Sequence, residues 1–257
     1  MRRLVLGVGR SVARRAASSS PSTPLLPVLP DGDTRLTLCL DLDECLIHGT
    51  ADESEAESLS FMEPSGPEAA REAAAHSRLH RRHRGRGLGP ADAEIDLPYL
   101  ETPFRVHKRP LLSDFLMEAS KFAELVLFTA AADGYARCVA ECIDPEGAAF
   151  QGRVLTRPHC TPMDAAGGVY AKDLAALGRP LERIVLMDDN LASALMHPDN
   201  VLPIQPFLGD PDDRGLGNVM PMLRTLAQVD DVREKLRGEY RVQQTLLEGV
   251  RALRAAQ

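Results

Sequence analysis

Leu36-Thr37-Leu38-Cys39-Leu40-Asp41-Leu42-Asp43 opens as a short apolar run and closes on two acids one residue apart. The run is too short for a helix and has polar flanks, as a buried strand of a parallel sheet does. Leu125-Val126-Leu127-Phe128 and Ile184-Val185-Leu186-Met187 read the same way. Between them, Leu112, Phe115, Leu116, Ala119 and Phe122 recur at helical spacing after Pro110, and Tyr135 to Ile143 and Gly217 to Gln228 behave similarly. Strands alternating with helices predict an α/β fold around a covered, mostly parallel sheet.

Each apolar run ends in polar groups: Asp41 and Asp43, then Thr129, then Asp188 and Asp189. Open parallel sheets bind ligands beyond the carboxyl ends of their strands, so these distant groups can share one crevice. Four carboxylates gathered there repel one another unless a cation joins them. Hard oxygen donors favour Mg²⁺ over Zn²⁺. Magnesium among carboxylates commonly serves phosphate chemistry, which also needs a hydroxyl, backbone N–H groups and a fixed positive charge; Thr129 and Lys172 can supply the first and last. Read alone, Asp41-Leu42-Asp43 would be a turn, Thr129 a strand terminus and Lys172 a surface charge. A cation at a helix start is, however, disfavoured by the dipole.

Composition narrows the function classes. The 257 residues are 44% hydrophobic and 26% charged with net charge −7, ordinary values for a globular chain. Trp 0, Tyr 4 and Phe 7 leave little with which to stack single-stranded bases, so no direct nucleic-acid partner is expected. Cys39, Cys45, Cys138, Cys142 and Cys160 are odd in number and show no paired zinc-ligand spacing; they read as buried thiols of a reducing compartment. Residues 1–30 carry Arg2, Arg3, Arg10, Arg14 and Arg15 and no acid, which reads as an organellar transit peptide or as a plain basic tail. Leu4 to Val8 is too short for a membrane span, and no run of about 20 apolar residues occurs elsewhere. Ser18 to Pro30 reads as a linker, with the folded part starting near Asp31. Thr50 to Asp92 passes from acidic to Arg/His-rich and reads as a solvated insertion, its His76, His80 and His83 a charged loop rather than a metal tract.

Asp41-Leu42-Asp43-Glu44-Cys45-Leu46-Ile47-His48 resembles the first motif of the haloacid dehalogenase superfamily, in the D-L-D-E-T-L-V-H form of the small C-terminal-domain phosphatases related to those acting on RNA polymerase II. Lys108-Arg109-Pro110 is similar to that family's K-R-P, Leu127-Phe128-Thr129-Ala130 to its F-T-A, and Lys172-Asp173-Leu174 with Leu177-Gly178-Arg179 to its K-D-L-x-x-L-G-R. Met187-Asp188-Asp189-Asn190 and His197-Pro198-Asp199-Asn200 resemble V-D-N-S and H-P-E-N. The resemblance implies a Rossmann-like sheet with helices on both faces and a small β-hairpin insertion, here Ile95 to Val106. It implies a phosphatase homology domain over 31–238, interrupted at about 50–92 by the disordered charged insertion and followed by a helical tail at 239–257.

It also implies roles. Asp41 would attack phosphorus and become an aspartyl-phosphate, and Asp43 would serve as acid and then base. Asp188, a carboxylate oxygen of Asp41 and the backbone carbonyl of Asp43 would hold Mg²⁺, with Asp189 an outer ligand. Thr129 and Lys172 would grip the phosphoryl oxygens, with Leu42, Glu44 and Ala130 completing the phosphate site. Tyr135, Arg157 and His197 fit the pattern but stay outside the catalytic set.

Departures are Cys45 for Thr or Val (a packed residue, or alternatively a redox-sensing thiol), Asp189 for Asn, Leu191 for Pro and Phe207 for Trp. A hairpin in place of a large cap implies an open cleft, and hence phosphoserine or phosphothreonine in a protein substrate. The alternatives are a non-catalytic receptor like the import subunit of the mitochondrial inner-membrane translocase, and a small-molecule phosphatase. The compartment is mitochondrial or another organelle if the N-terminus is a targeting signal, otherwise nuclear or cytoplasmic.

Overall fold

The computed structural model describes residues 23–51, 90–97, 100–163 and 169–255. The Arg-rich start, Pro98 and the body of the charged insertion, including its three histidines, lie outside the described residues. In chain order the elements are β1 (Leu36–Leu40), β2 (Ile47–Thr50), β3 (Ala93–Ile95), β4 (Phe104–Lys108), α1 (Leu112–Ser120), β5 (Ala123–Phe128), α2 (Asp133–Ile143), β6 (Val154–Leu155), β7 (Thr161–Met163) and β8 (Val169–Ala171). Then follow β9 (Ile184–Asp188), β10 (Val201–Pro203), α3 (Gly215–Leu226), α4 (Val232–Tyr240) and α5 (Val242–Ala255).

The three apolar runs are the three central strands of a five-stranded parallel sheet ordered β10-β9-β1-β5-β6. Strand order reverses at β1, which has β9 on one side and β5 on the other. The carboxyl end of β1 is therefore the switch point at which such sheets open a crevice. Strand periodicity sorts the side chains into two cores. Leu36, Leu38, Leu40, Leu125, Leu127, Val185 and Met187 meet α1, α2, α3 and α4 on one face. Cys39, Val126, Phe128, Ile184 and Leu186 meet Leu174, Leu177 and Ala194 on the other. On that second face the cover is largely short 3-10 turns, Leu174–Leu177 and Leu191–Ala194, with Val242 at the start of α5.

α2 shows why its segment is helical. Ala136, Val139, Ala140 and Ile143 fall on one stripe at i, i+3, i+4 and i+7 and are the residues it buries. One polar cluster is buried under the second face: Arg179 donates from Nε and Nη2 to both oxygens of Glu124, each at 2.9 Å, and Thr37 Oγ1 donates to Glu124 at 3.1 Å. Pairing and full hydrogen bonding are what make a buried charge tolerable.

Two expectations change here. The hairpin, β3 and β4, is two strands of a three-stranded antiparallel sheet, β2-β4-β3, because β2, before the charged insertion, pairs with β4 after it. The Pro-rich linker does not run free to Asp31: Leu26 is buried in the second core, Leu25 N–H donates to Ala176 O at 2.9 Å, and Arg179 Nη2 donates to Pro27 O at 2.7 Å. Prolines signalled a linker, but one leucine between them found an apolar groove. Among the described residues no helix is long and apolar enough to cross a membrane.

Candidate active site

The chain leaves β1 through a tight turn. Leu46 and Ile47 N–H both donate to Leu42 O, at 2.9 and 3.2 Å, and Glu44 adopts a left-handed conformation with φ 60°. Leu42, Cys45 and Leu46 are wholly buried, pinning the turn from inside. Asp41 and Asp43, two residues apart, flank the buried Leu42. Asp41 N–H donates to Met187 O at 3.0 Å, which carries the β1–β9 pairing one residue further and sets Asp41 beside Asp188.

Lys172 joins these acids. It follows β8, its own amide is tied to Ser193 O at 2.7 Å, and its side chain is 1% exposed. Nζ donates to Asp41 Oδ1 at 2.6 Å and to Asp188 Oδ2 at 2.7 Å. Asp188 is fixed further by Ser193 Oγ at 2.6 Å and by the Asn190 amide at 2.8 Å. Asp41, Asp188 and Asp189 each present a ligand oxygen within 4.8 Å of the others. Asp43 turns to α2, where the Tyr135 hydroxyl donates to its Oδ1 at 2.5 Å. Thr129, one residue beyond β5 and buried, reaches the same sheet edge, since Leu127 lies opposite Leu40. Its Oγ1 accepts from the Ala131 amide at 3.0 Å. Ala130 O accepts from Arg157 Nε at 2.7 Å, and the Arg157 guanidinium lies 5.2 Å from the Tyr170 ring centre.

The electrostatics are those of a cluster short of positive charge. Burial pushes the Asp41 carboxyl well above its ordinary value, against the pull of Lys172. Burial, then the Asp188 charge, pushes Asp189 up to about 7. Burial alone would lower the Lys172 ammonium, but Asp188 and Asp41 outweigh it and hold it above its usual range. Among the described residues, one ammonium faces three carboxylates in a largely buried, all-oxygen donor set. That composition suits a hard divalent cation and offers nothing for a soft one.

The structure thus brings Lys172 together with Asp41, Asp188 and Asp189, and gives Asp43 a separate partner. Asp189 stands in the carboxylate cluster with Asp41 and Asp188. The Glu44 amide donates to Ile47 O at 2.8 Å within its own turn. Cys45 is fully buried, burial pushes its thiol well up, and Sγ lies 3.7 Å from Met187 O; the redox-sensing alternative has no exposed thiolate to act through. Sequence reasoning missed Ser193, five residues after Asp188 with no motif to mark it. It left Tyr135 outside the catalytic set, although that residue fits the family pattern.

A parallel sheet whose switch point carries an aspartate–lysine cluster defines the class: an α/β phosphatase-type domain of the haloacid dehalogenase superfamily. Residues 36–233 match the model of the NLI interacting factor-like phosphatases, and the chain belongs to that family. It is 32% identical over 220 residues to CTD nuclear envelope phosphatase 1 of Xenopus tropicalis, covering 82% of this chain and 78% of that one. With the CTD nuclear envelope phosphatase 1 homolog of Drosophila melanogaster it shares 33% over 204 residues, 79% of this chain and 72% of the relative. Human carboxy-terminal domain RNA polymerase II polypeptide A small phosphatase 1 is 39% identical over 132 residues, 51% of this chain and 49% of the relative. Among solved structures, the fission yeast RNA polymerase II CTD phosphatase Fcp1 bound to beryllium fluoride aligns with a TM-score of 0.45 at 24% identity, covering 84% of this chain and little more than half, 56%, of its own.

Proposed function

We propose that this chain is a Mg²⁺-dependent phosphatase acting on phosphoserine or phosphothreonine in proteins through an aspartyl-phosphate on Asp41. The observation that carries the reading is Lys172 bridging Asp41 and Asp188 from a buried position, with Asp189 in the same cluster. Lys172 orients the Asp41 carboxylate and offers a fixed cation to the phosphoryl oxygens, as phosphoryl transfer requires. Thr129 contributes its hydroxyl from the neighbouring strand end. Asp43 protonates the leaving oxygen and then takes a proton from the attacking water, and the Tyr135 hydroxyl fixes its carboxyl for both steps. The carboxylates of Asp41, Asp188 and Asp189 and the backbone carbonyl of Asp43 would hold the metal. When bound, Mg²⁺ offsets the repulsion between an anionic nucleophile and an anionic phosphate.

The protein-substrate reading is supported by relatives named for phosphatase action on a polypeptide C-terminal domain. Relatives named for the nuclear envelope support a nuclear or nuclear-envelope location over the organellar one. The intact acid–lysine set favours catalysis over a receptor-like role. The test is magnesium-dependent hydrolysis of an aryl phosphate, a phosphopeptide and a sugar phosphate by the wild type and by Asp41→Asn. Turnover of aryl phosphate and phosphopeptide, abolished in the variant, is expected. Negligible turnover by folded wild type, or sugar phosphates turned over far faster than phosphopeptides, refutes the reading.

A further inference from the structure

Arg109 is wholly buried and lies outside the chemistry just described, yet its guanidinium binds three separate segments. Nε and Nη2 donate to the two oxygens of Asp213 at 2.7 and 3.0 Å. Nη1 donates to Cys45 O at 3.0 Å, and Nη2 also donates to Gln205 O at 2.9 Å. The Arg109 amide donates to Leu46 O at 3.0 Å, and the guanidinium lies 5.6 Å from the centre of the Phe207 ring. Phe207 in turn donates its N–H to Glu44 O at 2.6 Å. The carbonyls of Glu44, Cys45 and Leu46 are therefore all held from one side, by Arg109 or by the residue its guanidinium covers. They belong to the turn that sets Asp41 and Asp43, and that turn contains a left-handed non-glycine residue, a conformation that persists only where its surroundings over-determine it.

Gly215, the first residue of α3, points to the same device. A Cβ built there would lie 2.1 Å from Arg109 Nη2 and 2.6 Å from Cζ. The guanidinium cannot swing aside without surrendering its hydrogen bonds. The Gly215 amide donates to Asp213 Oδ1 at 2.8 Å, so the helix start, the carboxylate and the guanidinium form one unit.

We propose that Arg109 is a positioning residue for the Asp41–Asp43 turn, oriented by Asp213, and that position 215 is glycine to make room for it. A lysine cannot replace it, because a single ammonium cannot serve the two carboxylate oxygens and two carbonyls that a planar fork reaches together. On helix propensity alone, alanine at 215 would be favoured; the packing here demands the opposite outcome.

The activity arm of the test rests on the phosphatase reading, and the exchange arm does not. Arg109→Lys, Asp213→Asn, Asp213→Glu and Gly215→Ala are made in the full chain. Amide hydrogen exchange is followed in residues 42–47 with β5 as the internal reference, and kcat and KM are measured on an aryl phosphate. Exchange in 42–47 should rise on the order of tenfold or more in the lysine, asparagine and alanine variants while β5 keeps its protection. Their kcat should fall on the order of 10- to 100-fold with KM nearly unchanged, as for a misplaced reacting group, and Asp213→Glu should retain more kcat than Asp213→Asn. Unchanged exchange at 42–47, or loss of protection spread equally to β5, overturns the proposal. Gly215→Ala behaving as wild type overturns the packing claim. A wild type without turnover refutes the phosphatase reading alone, and the exchange result then decides the positioning claim by itself.

Discussion

Replacing Lys172 by methionine removes the cation that contacts both Asp41 and Asp188 while keeping a side chain of similar length against Phe128. At 2.6 and 2.7 Å, each carboxylate attracts the ammonium by about 6 kcal/mol at an effective dielectric of about 20. Desolvation of the buried groups offsets much of that, and removing one partner of a buried ion pair costs about 3–5 kcal/mol in practice. At about 2–4 °C per kcal/mol for a chain of this size, the metal-free Tm should fall by about 6–20 °C. Added Mg²⁺ should raise the Tm of the variant more than that of the wild type, since it relieves a larger excess of negative charge. With Mg²⁺ present and the protein folded, turnover of an aryl phosphate should still drop at least on the order of 100-fold, because the donor proposed for the phosphoryl oxygens is gone. Thermal melts in chelator and in excess Mg²⁺, with kinetics on the same samples, provide the measurement. A metal-free Tm within about 2 °C of wild type, or equal Mg²⁺ responses in both proteins, would show that Lys172 does not neutralise the cluster.

Three more tests address parts of the chain the chemistry does not use. The Asp173 carboxyl is held below its ordinary value near 3.8, first by its 2.8 Å hydrogen bond with His197, so its stabilisation is present above that pH and is lost as pH falls through the lower folded value. His197→Ala should therefore lie well below wild type in urea midpoint at pH 6 and approach it at pH 3, and a gap widening toward acid would contradict the sign. Relative to removal of residues 1–22, removal through Pro30 also strips Leu26 from the core, a further loss of about 1.5–3 kcal/mol or about 3–12 °C; equal melts for the two truncations would refute docking of that strap. Burial pushes the Cys39 thiol up to about 12 and Cys45 well up as well, so an alkylating reagent at neutral pH should spare both in the native protein and label the half-buried Cys138 and Cys142. Labelling of Cys45 at the rate seen in denaturant would count against its burial.

The three central strands were legible because apolar runs of strand length have few other readings, and the acids at their ends were legible because strands of a parallel sheet end at one edge. What stayed hidden depends on pairing across long separations. Nothing in the sequence near Arg109 points to Asp213, which the fold alone brings to it; Ser193 reaches Asp188 locally, through the 3-10 turn Leu191–Ala194, but no motif marks it. Nor does a motif show which way each amide faces: the left-handed turn at Glu44 directs its amide to Ile47 O. Leu26 was missed because composition weighs a segment's prolines and serines, while docking needs only one side chain of the right shape.

The small sheet has a consequence for how this protein can vary. β2 and β3 both pair with β4, at Thr50 opposite Arg105 and at Ala93 opposite Val106, so the two ends of the intervening segment are clamped to one scaffold strand. The entropic cost of closing a loop grows only with the logarithm of its length. Chain of almost any size or charge could therefore be spliced at this seam, leaving the catalytic edge undisturbed, which makes it a natural place to graft a tag, a reporter or a new recognition module.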